Sequence, residues 1–174
     1  MGEVVHFARK IAHNMEFLST EPYATFAEIE GESDWTWGDL QSHCNWVMEK
    51  LEPVEKGIAL IFLRGMREMH SAFFGCMLSG MVPSFMPCTS KKQDPEIYWK
   101  SHRTLLEHIS PVAILTTSDV HEEMIAAGLD LGDSEIIKFD NLEPLKTVIK
   151  PRFLDEGDIA LLQHSSGTTG LKKG

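Results

Sequence analysis

The last eleven residues, His164-Ser165-Ser166-Gly167-Thr168-Thr169-Gly170-Leu171-Lys172-Lys173-Gly174, hold three glycines, four hydroxyl side chains and two lysines. That mixture suits an anion. Glycines relieve the Cβ clash at unusual backbone angles, so successive N–H groups can point into one concavity that accepts phosphate oxygens. Ser165, Ser166, Thr168 and Thr169 add hydroxyl donors around the same point, and the ammonium of Lys173 offsets phosphate charge. The preceding run Asp158 to Gln163, DIALLQ, reads as a buried strand, which would deliver the glycine-rich stretch to the carboxyl end of a sheet, where open α/β folds bind ligands. The same composition also describes an ordinary flexible tail, and G-T-T-G fits the GXXG clamp of RNA-binding KH loops. The net charge of −10 speaks against the second, because such a surface repels a phosphate backbone. Neither G-x-x-x-x-G-K-[ST] nor G-x-G-x-x-G occurs, so the common triphosphatase and dinucleotide loops are excluded. His164 either faces a substrate or ends the strand with a hydrogen-bonded ring, the second being the simpler role.

Elements able to position this stretch follow from periodicity. Val4, Ala8, Ile11, Met15 and Leu18 share one helical face, and Pro22 closes that segment. Tyr23 to Ile29 alternates, and a turn at Gly31, Ser33 and Asp34 before Trp35 and Trp37 predicts a hairpin. Thr36 with Asp39 forms a helix-start signal before Leu40, Cys44, Val47, Met48 and Leu51, and Pro53 ends that helix. Ile58 to Leu63 is continuously apolar, as a strand covered on both faces must be. A helix from Met66 to Met81 leads to a short strand around Phe85. The next helix aligns Tyr98, His102, Leu105 and Ile109 and is followed by the strand VAILTT. Asp119 with Glu122 is expected to cap a further helix, Ile136 to Phe139 to form another strand, and 141–157, with Pro144, Pro151 and Gly157, to be a surface connection. Strands alternating with helices predict a layered α/β sandwich, a mostly parallel sheet flanked by helices.

Composition narrows the remaining classes. At 174 residues and 43% hydrophobic content the chain can bury a real core. Cys44, Cys76 and Cys88 are odd in number and widely spaced, which matches neither a disulfide framework nor a zinc site and points to a reducing, cytoplasmic setting. No apolar run reaches the roughly 18 residues of a membrane span. The four tryptophans read as core or hairpin packing, and no pair of histidines stands at metal-ligand spacing.

SSGTTGLKKG resembles the signature loop of the adenylate-forming superfamily, which usually reads [ST]-S-G-[ST]-T-G-x-P-K-G. Nine of the ten positions agree, Lys172 replacing the usual proline. Upstream, TWGDL (36–40) resembles the family's T-[YF]-x-E-L helix start, GCMLSGMVPSFMP its apolar helix and small-residue turn, and SPVAILTT the strand that follows the next helix. The resemblance covers the whole chain and implies that residues 1–174 are the N-terminal portion of the large domain of an AMP-forming ligase, with the phosphate-binding loop at 164–174. It implies Mg-ATP-dependent conversion of a carboxylic acid to an acyl-adenylate, then transfer to a thiol of coenzyme A or of a phosphopantetheine-bearing carrier protein. Carried over by position, Ser166, Gly167, Thr168, Thr169 and Gly170 wrap the β- and γ-phosphates, Lys173 screens their charge, and Ser165 supplies an oxygen to Mg²⁺. The family's remaining machinery lies downstream of this loop, so the chain alone is expected to be inactive. The alternative is a nonenzymatic assembly or ligand-sensing module built on this half-domain. In either case an apolar face left by a missing second half would drive self-association.

Overall fold

The computed structural model describes residues 7–28, 31–89, 93–155 and 157–164. Helix α1 (Phe7–Phe17) buries Ala8, Ile11 and Met15 along one stripe. Leu18, expected on that stripe, is exposed, because the helix has ended and the chain turns there, Glu21 N–H donating to Leu18 O. Strands β1 (Pro22–Glu28) and β2 (Gly31–Thr36) pair antiparallel as the expected hairpin. Helix α2 (Trp37–Leu51) starts in a reciprocal capping box. Asp39 N–H donates to Thr36 Oγ1 at 3.2 Å, and Thr36 N–H donates to Asp39 Oδ2 at 2.8 Å, satisfying two groups that a helix start leaves open.

Four further strands make a parallel sheet in the order β4-β3-β5-β6: β3 (Ile58–Phe62), β4 (Val82–Phe85), β5 (Ala113–Thr116) and β6 (Glu135–Lys138). Helices α3 (Met66–Leu78), α4 (Pro95–Ile109) and α5 (Ser118–Ala126) form the crossovers. The pleat explains why β3 is apolar throughout. Ala59 and Ile61 pack with Trp46, Val47, Ala72 and Cys76 of α2 and α3, while Leu60 and Phe62 pack with Trp99, Leu105 and Met124 of α4 and α5. The expected layered α/β sandwich is therefore present. A third cluster joins α1, the hairpin and the outer face of α2 through Met15, Phe26, Trp35, Leu40 and Met48. It holds a polar contact, Tyr23 Oη to His70 Nδ1 at 2.5 Å. Burial raises the Tyr23 phenol to about 12 and lowers the His70 imidazole, so a neutral phenol meets a neutral ring.

Two readings need correction. Asp119 and Glu122 do not cap α5; Ser118 N–H instead donates to Asp140 Oδ2 at 2.6 Å, from beyond β6, and Asp119 turns to another partner. Residues 158–163 form no strand. They are without regular structure and mostly exposed, with Ile159 at 65% and Leu161 at 43%, and Leu162 N–H donates to Pro83 O on β4. A buried strand needs cover on both faces, and the free edge of β4 supplies a backbone partner without that cover.

Candidate functional site

The parallel sheet reverses direction around β3. From β3 the chain crosses to β4 on one side and then returns to β5 on the other, so β3 and β5 flank the topological switch point. Open α/β sheets bind ligands outside the carboxyl ends of strands at such a point. Here that crevice is bridged by side chains. Arg64, two residues after β3, donates from Nη1 to Asp119 Oδ2 at 2.6 Å and reaches Thr89 Oγ1 at 3.4 Å and Glu123 Oε1 at 3.7 Å through Nη2. Thr89 Oγ1 in turn donates to Glu123 Oε2 at 2.7 Å, and Thr117 Oγ1 donates to Asp119 Oδ1.

The Thr117 hydroxyl and then the Arg64 guanidinium hold the Asp119 carboxyl below the ordinary range. Burial lifts the nearby Cys88 thiol, and Asp119 and Glu123 push it the same way against the opposing charge of Arg64, so Cys88 is not poised as a nucleophile. This cluster ties three crossovers together and carries more negative than positive charge, a poor setting for phosphate. Sequence reading missed it, although Asp119 and Glu123 stand at i, i+4 on α5, the spacing that aims two carboxylates at one cation.

The residues expected to bind phosphate, Ser165, Ser166, Gly167, Thr168, Thr169, Gly170 and Lys173, lie outside the described residues. The chain leading to them lies within. From the short 3₁₀ turn at Phe139–Asn141, residues 142–155 cross the outside of α2 without regular structure. They are the surface connection their prolines predict, none of them buried, but a fastened one. Leu142 and Leu145 pack against the α2/α3 side of the sheet, and Ile149 and Phe153 against the hairpin cluster. Arg9 stands 4.6 Å from the Phe153 ring centre, a cation–π contact. A turn follows, in which Asp155 N–H donates to Asp158 Oδ2 at 2.9 Å, and then comes the mostly exposed run that meets β4 at Pro83.

Among the described residues no group of three histidine, cysteine or acidic side chains is arranged to hold a metal ion. The same residues include no helix long and apolar enough to cross a membrane. Cys44, Cys76 and Cys88 are free, and burial pushes the Cys44 and Cys76 thiols far up.

No family model matches the chain, and no curated protein matches it by sequence. Solved structures match it closely in shape. The McyG A-PCP protein complexed with phenylalanyl-adenylate superposes with a TM-score of 0.79 at 18% identity, covering 100% of this chain and 28% of that one. The fatty acid AMP ligase from Legionella pneumophila matches at 0.69 and 24% identity, over 96% of this chain and 29% of the ligase. A benzoate CoA ligase from Burkholderia xenovorans LB400 matches at 0.65 and 17%, over 92% and 33%. The chain has the fold of adenylate-forming enzymes. It spans less than a third of the length of the first two of these proteins.

Proposed function

We propose that the chain contributes the phosphate-binding loop to ATP-dependent activation of a carboxylic acid. The observation that carries this reading is the ten-residue run SSGTTGLKKG (165–174) following a domain of adenylate-forming fold. In the reaction a carboxylate oxygen attacks the α-phosphorus of ATP, the bond to the β-phosphate oxygen breaks, and pyrophosphate leaves as the acyl-adenylate forms. The developing charge falls on the leaving pyrophosphate, so the loop's task is electrostatic. Backbone N–H groups and hydroxyls of Ser166, Gly167, Thr168, Thr169 and Gly170 would cradle the β- and γ-phosphates, with the Lys173 ammonium beside them. Ser165 offers a neutral oxygen, the donor class that Mg²⁺ takes, and most of that ion's remaining ligands would come from ATP and water.

Transfer of the acyl group to a thiol of coenzyme A or of a carrier protein is the second half of the proposed activity. The carrier is supported by the A-PCP neighbour and coenzyme A by the benzoate CoA ligase. We place the reaction in the cytoplasm, where three free thiols stay reduced. On this reading the complete activity draws on more chain than these 174 residues, which is supported by their covering only 28%, 29% and 33% of the three solved neighbours.

The test is acid-dependent exchange of labelled pyrophosphate into ATP, run with a panel of carboxylic acids on this chain and on the longest product of its reading frame. Exchange in the longer product that is lost in Lys173→Ala supports the reading, and silence of both with every acid overturns it. A second reading, an assembly module, draws on Phe85, Ile159 and Leu161, which expose apolar surface on or after the β4 edge strand. Self-association measured by sedimentation, without pyrophosphate exchange in either product, would select it.

A further inference from the structure

The amino ends of β5 and β6, opposite the strand ends that carry Arg64 and Asp119, open into a groove of about 730 Å³. Its walls come from the turn after α2, from the end of α4 with the entry to β5, and from the loop that leads into β6. Hydrogen bonds hold these walls to the sheet. Val112 N–H donates to Ile58 O and Glu135 N–H to Val112 O, both at 3.0 Å, and Ser134 Oγ donates to Pro111 O at 2.6 Å.

Floor and rim differ in character. Val54 and Val112 pack on the core cluster of the α2/α3 side, Leu106 and Leu131 on that of the α4/α5 side, so the floor is apolar and spans the end of the sheet. The rim carries Glu55, Glu107, Asp130, Asp133 and Glu135, all exposed, and the lining includes no lysine, arginine or histidine. Among the described residues no ion pair reaches any of the five carboxylates. Helix α4 ends here in its cap Ser110, which adds the negative end of a helix dipole.

Like charges gathered around one opening repel each other, and a ligand that brings several cations relieves the repulsion. A single metal ion does not answer the arrangement, because among the described residues no three acidic side chains are placed to hold one. A ligand of bare cations would leave the apolar floor unused. A peptide with lysine or arginine on either side of an aliphatic residue satisfies both, the aliphatic group on the floor and the cations on the rim, which is the ordinary layout of a protein interface. We infer that this groove docks a basic segment of a partner protein through an aliphatic anchor set between Val54 and Leu131. Open α/β sheets bind their small ligands at the other, carboxyl ends of the strands. The surface therefore lies apart from the phosphate chemistry proposed above, and neither stands or falls with the other.

The test titrates the chain into a labelled peptide built from leucine and lysine, read by fluorescence anisotropy at about 0.15 M salt. Oligolysine and a leucine–glutamate peptide serve as comparisons. One triple variant, Glu55→Gln with Glu107→Gln and Glu135→Gln, strips the rim. Another, Glu16→Gln with Glu122→Gln and Glu143→Gln, removes the same charge from exposed positions elsewhere. All six side chains are exposed, so both variants should keep the wild-type circular dichroism. The rim variant is expected to bind the leucine–lysine peptide about tenfold more weakly, since each exposed pair contributes little alone, and the second variant nearly as wild type does. Oligolysine should bind several-fold more weakly than the leucine–lysine peptide, the leucine–glutamate peptide should not bind, and the amides of Val112 and Leu131 should shift on binding. Equal weakening in both variants would mean attraction to the net charge of −10 alone and overturns the inference. Absence of binding, or oligolysine binding as tightly as the leucine–lysine peptide, overturns it too.

Discussion

Two consecutive stretches without helix or strand behave in opposite ways. Residues 142–155, interrupted by prolines and charges, are fastened to α2 and α3 and bury parts of Leu142, Leu145, Ile149 and Phe153. Residues 158–163, more apolar in sequence, lie open, with Ile159 and Leu161 turned to solvent. Hydrophobic content alone therefore does not decide burial. A receiving surface does: the outer side of α2 offers the buried amide of Asn45 and the carbonyls of Leu51 and Glu52 at its end, whereas β4 offers a bare edge.

The comparison can be broken most forcefully at Asn45. Asn45→Ala leaves Leu145 O and Ile149 N–H without the side-chain amide that bonds both and should lower the unfolding free energy by about 2 kcal/mol, measured by urea denaturation. A loss no larger than that of an exposed substitution would mean that residues 142–155 are held by packing alone.

A middle-sized effect concerns pH. Ile149 and Phe153 pack on the cluster whose Tyr23, Phe26 and Phe74 rings meet His70, and burial lowers the imidazoles of both His70 and His43 from an ordinary value of 6.5. The folded state therefore binds these protons less readily than the unfolded chain does. Stability should be level above about pH 7 and fall as pH drops from near 6.5 toward the lowered folded values. His70→Gln, which keeps a hydrogen-bonding group for Tyr23 and removes the titration, should flatten part of that fall in chemical unfolding curves taken between pH 7.5 and 5. An unaltered slope would show that His70 does not couple to folding. Asp119, held low by Thr117 and Arg64, acts in a separate and more acid window, its contribution present above its ordinary value near 3.8 and lost as pH falls through the lower folded one.

The smallest effect is expected in the open stretch. Ile159→Ser with Leu161→Ser should leave unfolding within about 0.5 kcal/mol of wild type, while reducing any concentration-dependent association. A clear destabilisation would show that 158–163 is covered in solution, in the manner that its sequence suggests.

What the sequence disclosed and what it withheld divide along the same line. The capping box of Thr36 and Asp39 spans three residues, and the two-faced burial of β3 and β5 is written in their unbroken apolar runs, so both were readable. The hairpin was readable for the same local reason. The path of residues 142–155 was not, because its fastenings join residues such as Asn45 and Leu145 or Leu51 and Arg152, and nothing in either neighbourhood names the other. The 158–163 strand was misread because period and composition report a preference for cover and are silent on whether cover arrives. Of the candidate site, the loop at 165–173 is an expectation from residue types alone, and it lies outside the described residues. The ion-pair cluster at the switch point became visible when α5 placed Asp119 and Glu123 beside Arg64.

One close contact sets a mechanical limit on all of this. A Cβ at Gly75 of α3 would lie 2.5 Å from Val47 Cβ of α2, so the two helices approach to a distance that only a hydrogen atom at that position permits. Asn45 and Ser42 stand on one of these helices and Leu78 ends the other, so Gly75 acts as a spacer between two mooring posts. Any side chain there would push the posts apart, and with them the two helix surfaces from which residues 142–155 hang.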